Sequence, residues 1–241
     1  GGSVMDLGAM AVSTWKRGSE LILVPTTLLG AVDASIGGKT AINLGGLKNP
    51  IGTFYPASEI LFDVRFFNTL QSSQISDGMA ELIKTAVIGN KTFFNEIYKN
   101  RNSLDKIPED WVLKAAKIKT RIVEADFKEI GLRKTLNLGH TLGHALELQL
   151  NISHGQAVAL GMVSAFKVST KMGLCNEVDS NKIITLIEAC GLKTTSKISY
   201  KKAEKLIAND KKPGWVLPLG IGAVIWDQKV DLKSAIDAIS P

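Results

Sequence analysis

At 241 residues the chain is long enough for one large domain or two modest ones, and 45% hydrophobic with 22% charged residues is ordinary for a globular protein with a proper core. The 29 basic against 23 acidic residues leave a formal charge of +6, but no finger spacing, recognition helix or aromatic-interleaved basic stripe accompanies it. No nucleic-acid partner is therefore expected, whereas an anionic small molecule is. The chain has no apolar run long enough for a membrane span and no basic-then-apolar leader, so neither a membrane nor a secretory destination is expected. Its two cysteines, Cys175 and Cys190, lie outside any metal-pair spacing, and a cytoplasmic protein with reduced, buried thiols is the expectation.

In chain order, residues 5–15 read as a small-residue helix directly after Gly1-Gly2. Residues 20–24 (ELILV) are a short apolar run that stops at Pro25, which reads as a buried strand, and residues 60–63 (ILFD) read as another. Between them Gly37, Gly38, Gly45, Gly46 and Gly52 mark backbone that turns tightly or approaches a ligand. The pattern then changes to a helical period over residues 77–87, 110–127, 138–150, 156–172 and 179–189, with Gly173 and Gly191 stopping the last two. Residues 215–219 and 223–226 read as a hairpin around Gly220-Ile221-Gly222. The expected fold class is α/β then mainly α: the remainder of a dinucleotide-binding α/β domain over 1–72, followed by a helical metal- and substrate-binding domain over 73–241.

All three histidines, His140, His144 and His154, fall within one short stretch. His140 and His144 are four apart and share a helix face. His154 follows the polar Asn151-Ile152-Ser153, where a chain that turns back brings it beside His140. Imidazole is the commonest metal ligand, and a catalytic zinc needs three protein ligands and an open position. The third ligand need not be a histidine: Glu81 stands in the apolar Met79-Ala80-Glu81-Leu82-Ile83, where an ionised carboxylate needs a cation or a metal. A solvated outer edge of the helix is the bland alternative for Glu81, and a structural cluster is the one for the histidines. Lys39, Lys48, Lys84 and Lys119 are singly more ordinary as surface charges. Taken with Arg133, Asn137 and the histidines, they would line a cationic pocket for a phosphate and a carboxylate.

The strings VPTTLLGAVDASIGGKTAIN (24–43), LKN (47–49), IGTFYP (51–56), GMAELIK (78–84), GLRKTLNLGHTLGHALE (131–147) and His154-Gly155, in this order, closely resemble the 3-dehydroquinate synthase family. The likeness runs from residue 1 to about 173 and returns at Asp210-Lys211-Lys212. It implies a lyase of the shikimate route to chorismate and the aromatic amino acids, which turns 3-deoxy-D-arabino-heptulosonate 7-phosphate into 3-dehydroquinate and phosphate. NAD would be used catalytically and zinc (or cobalt) would be the metal. Carried over by position, Glu81, His140 and His154 are the implied metal ligands. His144 and Glu129 are implied proton acceptors, with Lys39, Lys84, Arg133 and Asn137 beside them in the catalytic machinery. Arg17, Asp33, Lys39, Asn49, Lys119, Arg133, Asn137 and one of Lys211 and Lys212 are the implied substrate contacts. Gly1, Gly2, Asp6, Thr26, Thr27, Lys48, Phe66, Thr69 and Asp77 are the implied cofactor contacts, with the helix after Gly1-Gly2 pointing its positive end at the pyrophosphate. A homodimer is implied by the same likeness.

Two positions depart from the family pattern. Met5 replaces a glycine at the cofactor turn, where its side chain is expected to crowd the pyrophosphate. Gln156 replaces a glutamate, which is expected to remove a charge close to the metal. The family also carries a further N-terminal section, so an exposed sheet edge is expected here. Competing readings are a sister sugar phosphate cyclase acting on sedoheptulose 7-phosphate or glucose 6-phosphate, a metal-dependent alcohol dehydrogenase of the glycerol dehydrogenase type, and a non-catalytic fragment.

Overall fold

The computed structural model describes residues 1–45, 47–104, 106–208 and 214–241, without the side chains of Asn43, Leu47 and Lys48. Helix α1 (Gly2–Thr14) opens the chain, and a short 3-10 turn (Trp15–Arg17) leads to strand β1 (Ile22–Leu23). A π-helical turn (Gly30–Ala34) precedes strands β2 (Lys39–Leu44) and β3 (Leu47–Phe54), and β4 (Glu59–Ile60) follows. A 3-10 turn (Val64–Thr69) then delivers the chain to the helices. β1 and β4 pair in parallel, Ile22 with Glu59 and Leu23 with Ile60. The two runs read as strands are thus shorter than expected, since among the described residues each pairs with the other alone. The glycine-rich segment is not a set of isolated turns: β2 and β3 form an antiparallel hairpin.

Parallel strands are normally covered on both faces. Here Ile22, Val24 and Leu61 are about half exposed, and Val4 and Leu7 of α1 and Trp15 just after it project into solvent at 75%, 62% and 66% exposure. The two runs expected to be buried strands are therefore open to solvent on this side of the molecule.

The helical part is α2 (Ser72–Gly89), α3 (Lys91–Lys99), α4 (Glu109–Ala125), a 3-10 turn (Leu132–Asn137), α5 (His140–Leu150), α6 (His154–Lys171), α7 (Glu177–Ala189) and α8 (Tyr200–Ala208). Strands β5 (Trp215–Gly220) and β6 (Ala223–Gln228) form the expected hairpin, and α9 (Leu232–Asp237) ends the fold. Gly173 and Gly191, both at φ 73, stand just past α6 and α7, as the sequence suggested. α3, α8 and α9 have no counterpart among the predicted elements.

One apolar core runs from Leu28 to Ile239, with α2 and α6 at its centre. α2 is buried from Gly78 to Ile88 without a break, so it has no polar face in its second half. Glu81 and Lys84 lie inside that stretch, and burial of this kind forces each to find a partner of opposite charge or a metal. Cys175 and Cys190 are buried free thiols, and burial pushes the Cys190 thiol up to about 12. No helix among the described residues is long and apolar enough to cross a membrane.

Candidate metal centre

Two close backbone approaches place the site. α5 and α6 are joined by a tight return: Asn151 takes a left-handed φ of 51, and Ser153 caps α6 by accepting from the Gln156 N–H. Bare glycines let the two helices touch, since a Cβ on Gly161 would overlap the Gly139 carbonyl oxygen and lie 2.7 Å from its carbon. α6 also rests on α2: a Cβ on Gly155 would sit 2.6 Å from the Asp77 carbonyl oxygen, and Ser153 Oγ donates to Asp77 Oδ1 at 2.6 Å. Asp77 is one helical turn before Glu81, and Gly155 follows His154, so the contact sets His154 beside Glu81.

The result is a single ligand point. Glu81 Oε1 lies 3.2 Å from His154 Nε2 and 3.5 Å from His140 Nε2. The three candidate ligand atoms all fall within 4.8 Å of one another. Ligands about 2.0–2.1 Å from a tetrahedral zinc are themselves separated by roughly 3.3 Å, which is close to the spacing of Glu81 Oε1 from each imidazole. Each imidazole already uses its other nitrogen. His140 Nδ1 is 3.2 Å from the Leu138 carbonyl, and His154 Nδ1 is 3.1 Å from Glu147 Oε2. This fixes Nε2 as the ligating atom in both rings. For His154, burial opposes protonation, but the hydrogen bonds to Glu147 and Glu81 outweigh it and raise the ring's pKa to about 9. His144, one turn after His140, stacks edge-on against it with ring centroids 5.3 Å apart and stays outside the ligand set.

A chain of charges leads away from this point. Lys84 is 1% exposed and pairs with Glu81 Oε2, and it also lies 3.6 Å from Asp33 Oδ1. Lys119, 6% exposed, donates to the same Asp33 oxygen at 2.6 Å and to the Asp33 carbonyl. Both lysines were singly more ordinary as surface charges. The structure corrects that reading, because each has a carboxylate inside the protein. Burial alone would raise the Asp33 carboxyl, but Lys119 and then Lys84 outweigh it and hold it well below the usual range. Burial pushes Lys119 down, aided by the charge of Lys84, whereas Glu81 and Asp33 outweigh burial at Lys84 and push it up.

A second group gathers at the β2–β3 hairpin. Lys39 pairs with Glu129, which sits at φ 60 and also accepts from Asn137 Nδ2 at 2.6 Å. Arg133 is 2% exposed. It donates to the carbonyls of Phe127 and Gly37 at 2.7 and 2.8 Å and lies over the rings of Phe54 and Phe127. Burial lowers its affinity for the proton. Asn49 occupies a left-handed position on β3, φ 53. Arg17, exposed at φ 68, has no hydrogen bond or ion pair to these groups among the described residues.

At the start of the chain, Gly1, Gly2 and Thr27 converge: a Cβ on Gly1 would lie 3.6 Å from Thr27 Cγ2, and Thr27 Oγ1 caps the Gly30 N–H at 3.1 Å. Met5 is buried and turns inward, so that a Cβ on Gly30 would meet its Cε at 3.0 Å. The expected crowding outward from Met5 is thus replaced by inward packing. Asp6 is half-buried on α1 and Thr26 is exposed. Phe66 is exposed on the 64–69 turn, where Thr69 Oγ1 donates to its carbonyl. Lys211 and Lys212 lie outside the described residues, as does the side chain of Lys48.

Gln156 also corrects an expectation. Its amide does not face the metal point: Oε1 accepts from the Lys193 N–H and Nε2 donates to the Lys193 carbonyl, both at 2.9 Å. The outer carboxylate is supplied by Glu147, to which the sequence reading gave no role. The available signal was its spacing, because residues 140, 144 and 147 follow the i, i+4, i+7 pattern of one helix face.

Solved structures share this fold. A 2-epi-5-epi-valiolone synthase from Streptomyces hygroscopicus subsp. jinggangensis, with NAD+ and Zn2+ bound, superposes with a TM-score of 0.91 at 25% identity, over 99% of this chain and 70% of that one. A 2-deoxy-scyllo-inosose synthase complexed with carbaglucose-6-phosphate, NAD+ and Co2+ gives 0.84 at 29% identity, over 93% and 66%. The fold is that of the sugar phosphate cyclases.

Residues 1–77 match the family model described as 3-dehydroquinate synthase N-terminal, and residues 78–213 match that described as 3-dehydroquinate synthase C-terminal. The chain belongs to the 3-dehydroquinate synthase family. A 3-dehydroquinate synthase of Campylobacter fetus subsp. fetus is 37% identical over 249 residues, 99% of this chain and 72% of the relative. One of Dehalococcoides mccartyi is 41% identical over 219 residues, 88% and 61%. Among such curated relatives the chain spans between 55% and 72% of their length.

Proposed function

We propose that the protein acts as a 3-dehydroquinate synthase, taking 3-deoxy-D-arabino-heptulosonate 7-phosphate to 3-dehydroquinate and inorganic phosphate. The observation that carries this reading is the convergence of Glu81, His140 and His154 on one point, with Lys84, Asp33 and Lys119 in a buried row beside it. A metal held by the triad would polarise substrate hydroxyls, and a bound NAD would take up a hydride and return it, so that no net oxidation results.

The chain's own residues do the rest. Lys84 and Lys119, already ordered by Asp33, present ammonium groups to an anionic substrate at little further entropic cost. Lys39, Arg133 and Asn137 form the second cationic and polar edge, suited to a phosphate or carboxylate. His144 stands beside the ligands without belonging to them, placed to accept a proton, and Glu129 does the same from the loop after α4. The N-terminus of α1, with the bare Gly1 and Gly2 and the neighbouring Thr27, is the part of the dinucleotide site that this chain provides, together with Asp6, Thr26, Phe66 and Thr69. Asp77 supports α6 through Ser153. We divide the molecule at 72/73, at the start of α2, and read it as a cytoplasmic protein that forms a homodimer.

The test is phosphate release from the heptulosonate phosphate by the natural full-length polypeptide with NAD and zinc. Release that stops on chelation and leaves no accumulated NADH is expected. Net NADH formation would instead identify a dehydrogenase.

A further inference from the structure

The two imidazole ligands are oriented by different means. His140 is aligned by the carbonyl of Leu138, two residues before it in the same chain segment, which no side-chain substitution removes. His154 is aligned by a side chain on another helix, Glu147 of α5, through Nδ1···Oε2 at 3.1 Å. The His154 side chain is 28% exposed and that of Glu147 20%, whereas Glu81 is fully buried. His154 is thus the ligand on the solvent rim, where the ring has room to rotate away from the ligand point. Because the partner is a carboxylate, it both selects the Nδ1–H tautomer and makes Nε2 a stronger donor.

From this geometry we infer that Glu147 is a positioning residue of the metal centre, acting through His154 to hold its Nε2 on the ligand point. The inference rests on the metal-site reading above. Glu147 acts on the centre through its hydrogen bond to His154 Nδ1 and the charge it places there.

The experiment uses the whole protein, reconstituted with Co2+ or Zn2+, and compares Glu147→Gln, Glu147→Ala and Gln156→Ala. The first keeps an acceptor for Nδ1–H and removes the charge, and the second removes both. The third cuts the neighbouring amide clamp to Lys193, which faces away from the ion. Chelator competition is expected to show about 10–100-fold weaker metal binding for Glu147→Ala and partial rescue in Glu147→Gln, with no change for Gln156→Ala. The visible spectrum of the Co2+ form should shift in Glu147→Ala alone. Metal-free thermal stability should stay near the parent's, which a purely structural tie between α5 and α6 would not allow. Equal metal affinity in parent and Glu147→Ala, or a loss explained by an equal fall in metal-free stability, overturns the inference. Should Glu147→Ala fail to fold, metal affinity in Glu147→Gln equal to the parent's, with no charge left to act, overturns it as well. Absence of binding by the parent itself would instead sink the reading of the centre.

Discussion

Replacing Glu81 by glutamine is expected to abolish tight divalent-metal binding, a larger effect than the roughly 10–100-fold loss expected for an outer partner. Three facts set the size. Glu81 is fully buried, so no water can replace its carboxylate. Its Oε1 is the atom both imidazoles face. Its Oε2 pairs with Lys84, itself 1% exposed. Breaking a buried ion pair from one side costs about 3–5 kcal/mol, because the remaining charge loses its counterpart. Asp33, 3.6 Å from Lys84, cushions that loss, so the lower end applies here. Chelator competition and urea unfolding of the metal-free protein measure the two effects separately. A Glu81→Gln protein that binds zinc as tightly as the parent would remove the carboxylate from the ligand set.

Gly161→Ala is expected to destabilise the protein by about 3 kcal/mol and to weaken metal binding, although Gly161 itself is not a ligand. Alanine in a helix interior ordinarily gains about 0.5–1 kcal/mol over glycine. Here the added carbon would overlap the Gly139 carbonyl oxygen and crowd the Gly139 carbon and Cα at 2.7 and 2.9 Å. These are backbone atoms that cannot rotate aside, so α5 must move off α6, and overpacking of this kind costs about 1–3 kcal/mol or more. Gly139 directly precedes His140, so the shift also drags a ligand away. Urea denaturation together with a zinc titration checks both parts. Unchanged stability would show that the helices do not touch at this seam.

Much of this architecture was legible in the sequence. The helical period located α2, α4, α5, α6 and α7 to within a few residues, because each carries a long apolar stripe ended by a glycine or a cap. A candidate metal site was legible in the isolated carboxylate of an apolar helix and the clustered histidines, but choosing Glu81, His140 and His154 over His144 came from the family resemblance. Hidden were relations that depend on distance in space. The glycines of 37–52 read as punctuation, yet they sit within and beside a hairpin whose partner strand is needed to recognise it. Gln156 looked like a lost charge because its true partner, Lys193, is remote in sequence. Lys84 and Lys119 looked solvated because Asp33, which accounts for their burial, comes from the other domain. α3 and α8 are short and polar, and their apolar faces are too narrow to stand out from their surroundings.

The location of Glu81 on α2, with α3 and α4 intervening before His140 on α5, has a thermodynamic consequence. An ion shared by these side chains is a clasp between remote stretches of polypeptide, and because the unfolded chain has no such site, its binding free energy adds to the folded form alone. Occupancy and fold strength are then linked by mass action: at a metal concentration one hundred times the dissociation constant, the folded form gains about 2.7 kcal/mol. Scarcity of the ion would therefore expose the polypeptide to unfolding as well as leave it idle.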